Sequence, residues 1–97
     1  MTDEPTQTFT NVWDALADTP DEAANLRLRG DLAMAIREVV ESWGQSQTQA
    51  ARHLGVTQPR LNDLLRGRLE RFSLDALIAL AERAGLAVEM RIGLAAA

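Results

Sequence analysis

Apolar residues recur along most of the chain at the three-to-four-residue spacing of an amphipathic helix. This pattern predicts five helices, at residues 9–16, 20–43, 47–54, 58–66 and 73–84. Gly44 and Gly85 directly follow two of these segments and are expected to end them, because glycine readily adopts the left-handed conformation found at helix C-termini. Residues 1–8 are polar and are predicted to be a disordered start, with a short tail at 94–97.

The spacing changes near the C-terminus, where apolar and polar residues alternate from residue 86 to 92. This alternation predicts a β-strand with one apolar face formed by Leu86, Val88, Met90 and Ile92. A lone strand in a helical chain needs a partner for its backbone N–H and C=O groups. We expect it to pair with the same strand of a second protomer and form a homodimer. Pairing with a short N-terminal strand of the same chain is the alternative.

Residues 47–67 have the residue types that two short helices joined by a tight turn require. Ala51 is small enough to lie where the two helices meet, and Gly55 can adopt a positive φ in the turn. Leu61 and Leu64 follow at helical spacing and would lock the second helix. The spacing predicts a DNA-binding helix-turn-helix within one domain that spans residues 9–93.

The outward residues of the second short helix suit contacts with base edges. Glutamine and asparagine amides form paired hydrogen bonds with adenine, arginine does so with guanine, and small apolar groups touch the thymine methyl. The predicted base-contacting residues are Thr57, Gln58, Pro59, Arg60, Asn62 and Asp63. For Asp63 a different role is favoured, either an ion pair with Arg60 or Arg66 or acceptance of a cytosine amino group.

Phosphate contacts are expected on both sides of this helix. The start of the first short helix and the arginines after the second offer N–H donors that suit phosphate oxygens. The predicted phosphate-contacting residues are Gln47, Gln49, Arg66 and Arg68. His53 lacks partners at metal-ligand spacing and is interpreted as a surface residue near phosphate.

A net charge of −4 argues against binding to phosphate, but the charges are unevenly distributed along the chain. Six acidic residues and no basic residue lie within residues 1–25, whereas residues 44–72 contain five arginines against Asp63 and Glu70. The predicted helix-turn-helix is therefore locally basic, as phosphate binding requires.

Composition excludes several classes of function. The chain has no cysteine, which rules out disulfides and thiolate metal sites. No metal-binding cluster, nucleophile–base pair or paired carboxylates are recognisable, so neither an enzyme nor a cofactor is expected. No apolar run reaches the length of a membrane span, and a cytoplasmic protein is expected.

The first predicted helix has an apolar stripe within the acidic segment. Phe9, Val12, Trp13 and Leu16 share one helical face. The stripe either packs on its own domain or binds a partner, and its acidic surroundings would suit a basic toxin protein.

Several motifs resemble a known family. Thr48, Gln49, Ala51, the run from Leu54 to Gln58 and the closing Arg66-Gly67 resemble the Xre/Cro-repressor family. Asn11-Val12-Trp13, the run from Leu26 to Leu32, Gln58-Pro59-Arg60, Phe72-Ser73-Leu74 and Gly85-Leu86-x-Val88 resemble its compact HigA-like antitoxin subgroup. The resemblance implies a mainly α, five-helix, lambda-repressor-like domain with a C-terminal strand used in dimerisation.

The resemblance also implies a function. Members of the subgroup are dimeric repressors that bind a palindromic operator of their own operon, and many neutralise an mRNA-cleaving toxin of the HigB/RelE type. We therefore expect a transcriptional repressor that is the antitoxin of a type II toxin–antitoxin system. The alternatives are a stand-alone Xre-type regulator without a toxin and a protein-binding module with little DNA affinity.

Overall fold

The structure of the protein is a computed structural model that describes residues 20–95. Four α-helices and one 3₁₀ turn lie in this range. They are α1 (Pro20–Ser42), α2 (Gln47–Leu54), α3 (Gln58–Leu65), the 3₁₀ turn η1 (Leu69–Arg71) and α4 (Leu74–Arg83). The long α1 packs against α4, α3 and η1, while α2 packs against α3 and α4.

Hydroxyl side chains begin three of the helices. The side chains of Ser46, Thr57 and Ser73 accept hydrogen bonds from the backbone N–H groups of Gln49, Arg60 and Ala76, respectively. Each bond satisfies one of the N–H groups that lack a partner within the first turn of a helix. At α2 the Gln49 side chain also accepts from the Ser46 backbone N–H, which completes a capping box.

Glycines end the same three helices in one common way. After α2 the Gly55 N–H donates to the Arg52 carbonyl and the Val56 N–H donates to the Ala51 carbonyl. The same pair of bonds recurs around Gly67 after α3 and Gly85 after α4. This Schellman arrangement requires a positive φ, which is 73° at Gly55. The positive φ predicted at Gly55 is therefore confirmed, and Gly44 and Gly85, predicted to end helices, also have positive φ values of 62° and 91°.

One apolar core joins the elements. Ile36, Leu54, Leu61, Phe72 and Leu77 are its largest fully buried side chains, and they come from α1, α2, α3, the end of η1 and α4. Because every element contributes a side chain to the same core, the orientation of α2 and α3 is fixed by packing against α1 and α4.

The prediction of a C-terminal β-strand is wrong. Residues 86–95 form neither a helix nor a strand, and no backbone hydrogen bond joins residues 87–95, hereafter the C-terminal arm, to the rest of the described chain. A period-two pattern becomes a strand only when another strand supplies the hydrogen-bonding ladder, and residues 20–95 contain no second strand. Leu86 alone packs against the core.

The expected count of five helices with a strand is corrected accordingly, because residues 20–95 hold four α-helices and no strand. The helix predicted at residues 9–16 lies outside the described residues. Within the described range, no helix combines the length and apolarity that a bilayer crossing would need.

Candidate nucleic-acid interface

The junction between α2 and α3 is built as the helix-turn-helix spacing predicts. Ala51 and Leu54 of α2 and Leu61 and Leu64 of α3 are all buried. The turn between them contains Gly55. A Cβ atom introduced there by substitution would lie 3.4 Å from Nη1 of Arg83. Arg83 also donates a hydrogen bond of 3.3 Å to the Leu54 carbonyl at the end of α2. The buried side chains pack α3 against α2, and Arg83 links the end of α2 to α4.

The first turn of α3 presents polar groups to solvent. Thr57, Gln58 and Pro59 are exposed and Asn62 is half-buried. The Gln58 Oε1 atom accepts a hydrogen bond of 3.2 Å from the Thr48 hydroxyl, so α2 orients this amide while its NH₂ group stays available. Thr57 precedes α3 as its N-cap, and Gln58, Pro59 and Asn62 are less buried than Leu61 and Leu64 of the same helix.

Arg60 is placed differently from the other predicted base-contacting residues. Its guanidinium carbon lies 3.9 Å from the centroid of the buried Phe72 ring. Its Nη1 atom donates a hydrogen bond of 2.7 Å to the Arg71 carbonyl. The guanidinium therefore lies over the segment that follows α3, where it makes a cation–π contact and a charge-assisted hydrogen bond.

Asp63 pairs with arginines, although not with the two that the sequence suggested. Its Oδ1 atom lies 3.4 Å from Nη1 of Arg68, and its Oδ2 atom lies 3.1 Å from Nη1 of Arg71. The partners named from the sequence were Arg60 and Arg66, and helical spacing alone favoured them. The observed partners come from the turn after α3, where Gly67 reverses the chain.

The predicted phosphate-contacting residues lie on the two sides of α3. Gln47 and Gln49 are exposed in the first turn of α2, where the backbone N–H groups of Gln47 and Thr48 make no hydrogen bond within the described chain. Arg66 is exposed and makes no side-chain hydrogen bond or ion pair with any described residue, whereas Arg68 is held by Asp63. Free N–H groups at a helix start favour an anion.

Two further arginines lie in the same part of the chain, although sequence reasoning counted them only as charge. Arg52 lies one helical turn after Gln49, is exposed, and forms no ion pair within the part of the chain that is described. The helical spacing of Arg52 from Gln49 was a usable signal. Arg71 is held by Asp63 across the turn, and no local pattern in the sequence indicated that contact.

The His53 ring packs against an aromatic side chain. Its ring stacks on Trp43 with 3.9 Å between the ring centroids and 6° between the ring planes. Among residues 20–95, no group of histidine and acidic side chains is arranged to hold a metal ion.

The remaining predicted sites lie near the two ends of the sequence. Val88, Met90 and Ile92 of the predicted dimerisation set are exposed on the C-terminal arm, while Leu86 is half-buried. The candidate toxin-binding residues Phe9, Val12, Trp13 and Leu16 lie outside the described residues.

A family model described as a helix-turn-helix domain matches residues 15–93. The chain belongs to this helix-turn-helix domain family. The match spans every described element and supports the Xre-like interpretation, without distinguishing the HigA-like subgroup. No curated protein sequence gives a significant match. Helix-turn-helix domains are DNA-binding modules, and families of this kind are typically not enzymes. In this helix-turn-helix domain α2 and α3 are the paired helices, and α3 has the position of the recognition helix.

Proposed function

We propose that the protein is a sequence-specific transcriptional repressor that binds a palindromic operator with α3 in the major groove. The observation that carries this proposal is the N-terminal half of α3, where Thr57, Gln58 and Pro59 are exposed and Asn62 is half-buried beside a buried leucine pair. An amide pair of this kind suits adenine, and the proline and threonine methylene and methyl groups suit thymine. Arg60 and Asp63 are bound within the chain in the DNA-free protein, so the other four residues are assigned to base edges first.

In this proposal, phosphate contacts lie on both sides of the base-contacting residues of α3. Gln47, Gln49 and the first N–H groups of α2 would bind one strand, together with Arg52 on the same helix. Arg66 and Arg68 would bind phosphates beyond the other end of α3. Such contacts fix the register of the protein on DNA and make binding strongly dependent on salt.

A selection from a pool of random duplexes tests the proposal. Bound duplexes are expected to converge on two related half-sites centred about one helical turn apart. Gln58→Ala should cost about 1–3 kcal/mol and relax preference at one position of each half-site. Thr48→Ala is the matched control, because it removes the same interhelical hydrogen bond but keeps the Gln58 amide, and it should retain most of the preference. Bound duplexes without any shared sequence would contradict the assignment.

A homodimer is part of the proposal, because a palindromic operator needs two copies of α3. Met90 and Ile92 are 79% and 84% exposed on the C-terminal arm, which leaves apolar side chains open to a second copy. Glu89 and Arg91 flank Met90, so a two-fold axis at Met90 would bring opposite charges together. Sedimentation equilibrium should give twice the chain mass, and the double variant Met90→Ser/Ile92→Ser should give the monomer mass. Leu28→Ser, which alters an exposed leucine on α1, is the control and should leave the mass unchanged.

The proposed biological role is that of an antitoxin that represses its own operon and neutralises a HigB/RelE-like mRNA-cleaving toxin. Support comes from the acidic stretch within residues 1–25, which carries the apolar stripe of Phe9, Val12, Trp13 and Leu16 and would complement a basic partner. The full chain should co-purify with the basic product of a neighbouring gene and restore growth when that product is expressed. A chain lacking residues 1–18 should still bind DNA but fail to restore growth. Operator binding without any such partner would indicate a stand-alone regulator, and partner binding without DNA affinity would indicate a protein-binding module.

A further inference from the structure

The turn after α3 contains a layered arrangement of charge. The Asp63 side chain is only 16% exposed, whereas the side chains of Arg68 and Arg71 that contact it are 40% and 52% exposed. The Asp63 carboxylate is therefore more buried than the two guanidinium groups that contact it. Each guanidinium has five N–H donors, and the contacts with Asp63 and the chain use a minority of them. The outer donors of both arginines remain available to an oxygen-rich anion.

Backbone contacts fix this arrangement from three sides. The Arg68 N–H donates to the Asp63 carbonyl at 3.0 Å within the Schellman turn at Gly67. Arg60 donates to the Arg71 carbonyl, and Arg29 of α1 donates to the Leu69 carbonyl at 2.8 Å. The backbone that carries both arginines is thus tied to α1 and α3, so the positions of their side chains depend chiefly on Asp63.

A carboxylate near DNA normally weakens binding, because it repels phosphate. Asp63 is in the recognition helix, where this penalty would be greatest, yet it is bound to two arginines that would otherwise repel each other. Holding two guanidiniums side by side lowers the conformational entropy lost when both bind one phosphate. The ordering effect and the repulsion have opposite signs, so a measurement can separate them.

We infer that Asp63 is a positioning residue that presents Arg68 and Arg71 as one two-guanidinium site for a DNA backbone phosphate. This inference rests on the proposed DNA-binding function and adds Arg71 to the interface. Arg68 and Arg71 make the phosphate contact, and Asp63 acts only through them.

The test compares two neutralising substitutions, Asp63→Asn and Glu70→Gln, in the full-length protein. Each removes one negative charge, Asp63→Asn from α3 and Glu70→Gln from η1, but Glu70 is exposed and makes no ion pair with a described arginine. Binding to a short fluorescein-labelled duplex is measured by anisotropy across a salt series. Asp63→Asn should weaken binding about tenfold at 0.1 M salt and lower the salt slope by about 1, as expected when one phosphate contact is lost. Glu70→Gln should bind as tightly as the parent or slightly more tightly.

A double substitution, Arg68→Ala/Arg71→Ala, completes the cycle. In that background Asp63→Asn should no longer weaken binding and should strengthen it, because only repulsion is left to remove. If Asp63→Asn strengthens binding in the parent, or weakens it equally in both backgrounds, the inference is overturned. A parent protein that forms no salt-sensitive complex with the duplex at any salt concentration would instead overturn the proposed function, and this inference with it.

A measurement on the parent protein keeps the inference testable if Asp63→Asn does not fold, which thermal unfolding would reveal. The guanidinium ¹⁵N resonances of Arg68 and Arg71 should show restricted rotation before DNA is added, and both should shift when duplex is added. The exposed Arg66, which no described residue binds, is the internal reference for free rotation. Guanidiniums of Arg68 and Arg71 that rotate as freely as that of Arg66 would overturn the inference.

Discussion

Helix α4 and the C-terminal arm are both rich in apolar residues, yet they differ completely in burial. Leu77, Leu80 and Ala81 of α4 are buried in the common core, whereas Met90 and Ile92 of the arm are exposed. The first group faces a surface formed by α1 and α2, and the second group faces none within the described chain. Apolar side chains stabilise a fold only where a complementary surface removes them from water. Matched substitutions in the helical body and the arm should therefore have very different effects.

The largest contrast is expected for large apolar side chains. Leu54→Ala should lower the free energy of unfolding by about 2–5 kcal/mol, because it leaves a cavity where α2 meets the core. Met90→Ala should change it by less than about 0.5 kcal/mol, since that side chain is already in water. Urea unfolding at low protein concentration measures both values. Similar losses for the two variants would mean that the arm packs on the helical body.

A smaller contrast is expected for two glycines. Gly55→Ala should cost about 1–2 kcal/mol, because φ is 73° there and alanine is strained in the left-handed region. Gly93→Ala should cost nothing measurable, since no positive φ and no atom within 4 Å opposes the added methyl group. Thermal unfolding compares the two. A penalty at Gly93 equal to that at Gly55 would show that the arm has a fixed conformation.

The smallest contrast is expected for two arginines. Arg60→Ala should cost about 1 kcal/mol, because it removes the contact with the Phe72 ring and the bond to the Arg71 carbonyl. Arg91→Ala on the arm should be neutral, since Arg91 is exposed and has no described partner. Urea unfolding again gives the comparison. An unchanged stability for Arg60→Ala would mean that its guanidinium is free to reach DNA without cost.

The helices and their junction could be predicted because their causes are local. The spacing of apolar residues and the glycines gave α1 to α4 nearly to the residue, and Ala51, Leu61 and Leu64 are buried as expected. The capping box at Ser46 was missed, although a serine followed three residues later by glutamine is its usual sequence signature.

The errors concern contacts that local spacing does not determine. A strand requires a partner as well as a pattern, and residues 86–92 have no partner within the described chain. The partners of Asp63 depend on how the turn at Gly67 returns the chain past α3. The contact of Arg60 with Phe72 was not predicted for a similar reason, because eleven residues of folded chain lie between them; contact of Arg60 with a base edge stays a prediction.

Because His53 stacks on Trp43, the intrinsic fluorescence of Trp43 can report on the helix-turn-helix. Trp43 lies at the end of α1 and His53 near the end of α2, so the indole senses whether these helices stay docked. Replacing Trp13 with phenylalanine would leave Trp43 as the sole fluorophore of its kind. The fluorescence of Trp43 would then change if α2 is displaced when DNA binds, and no attached dye would be needed.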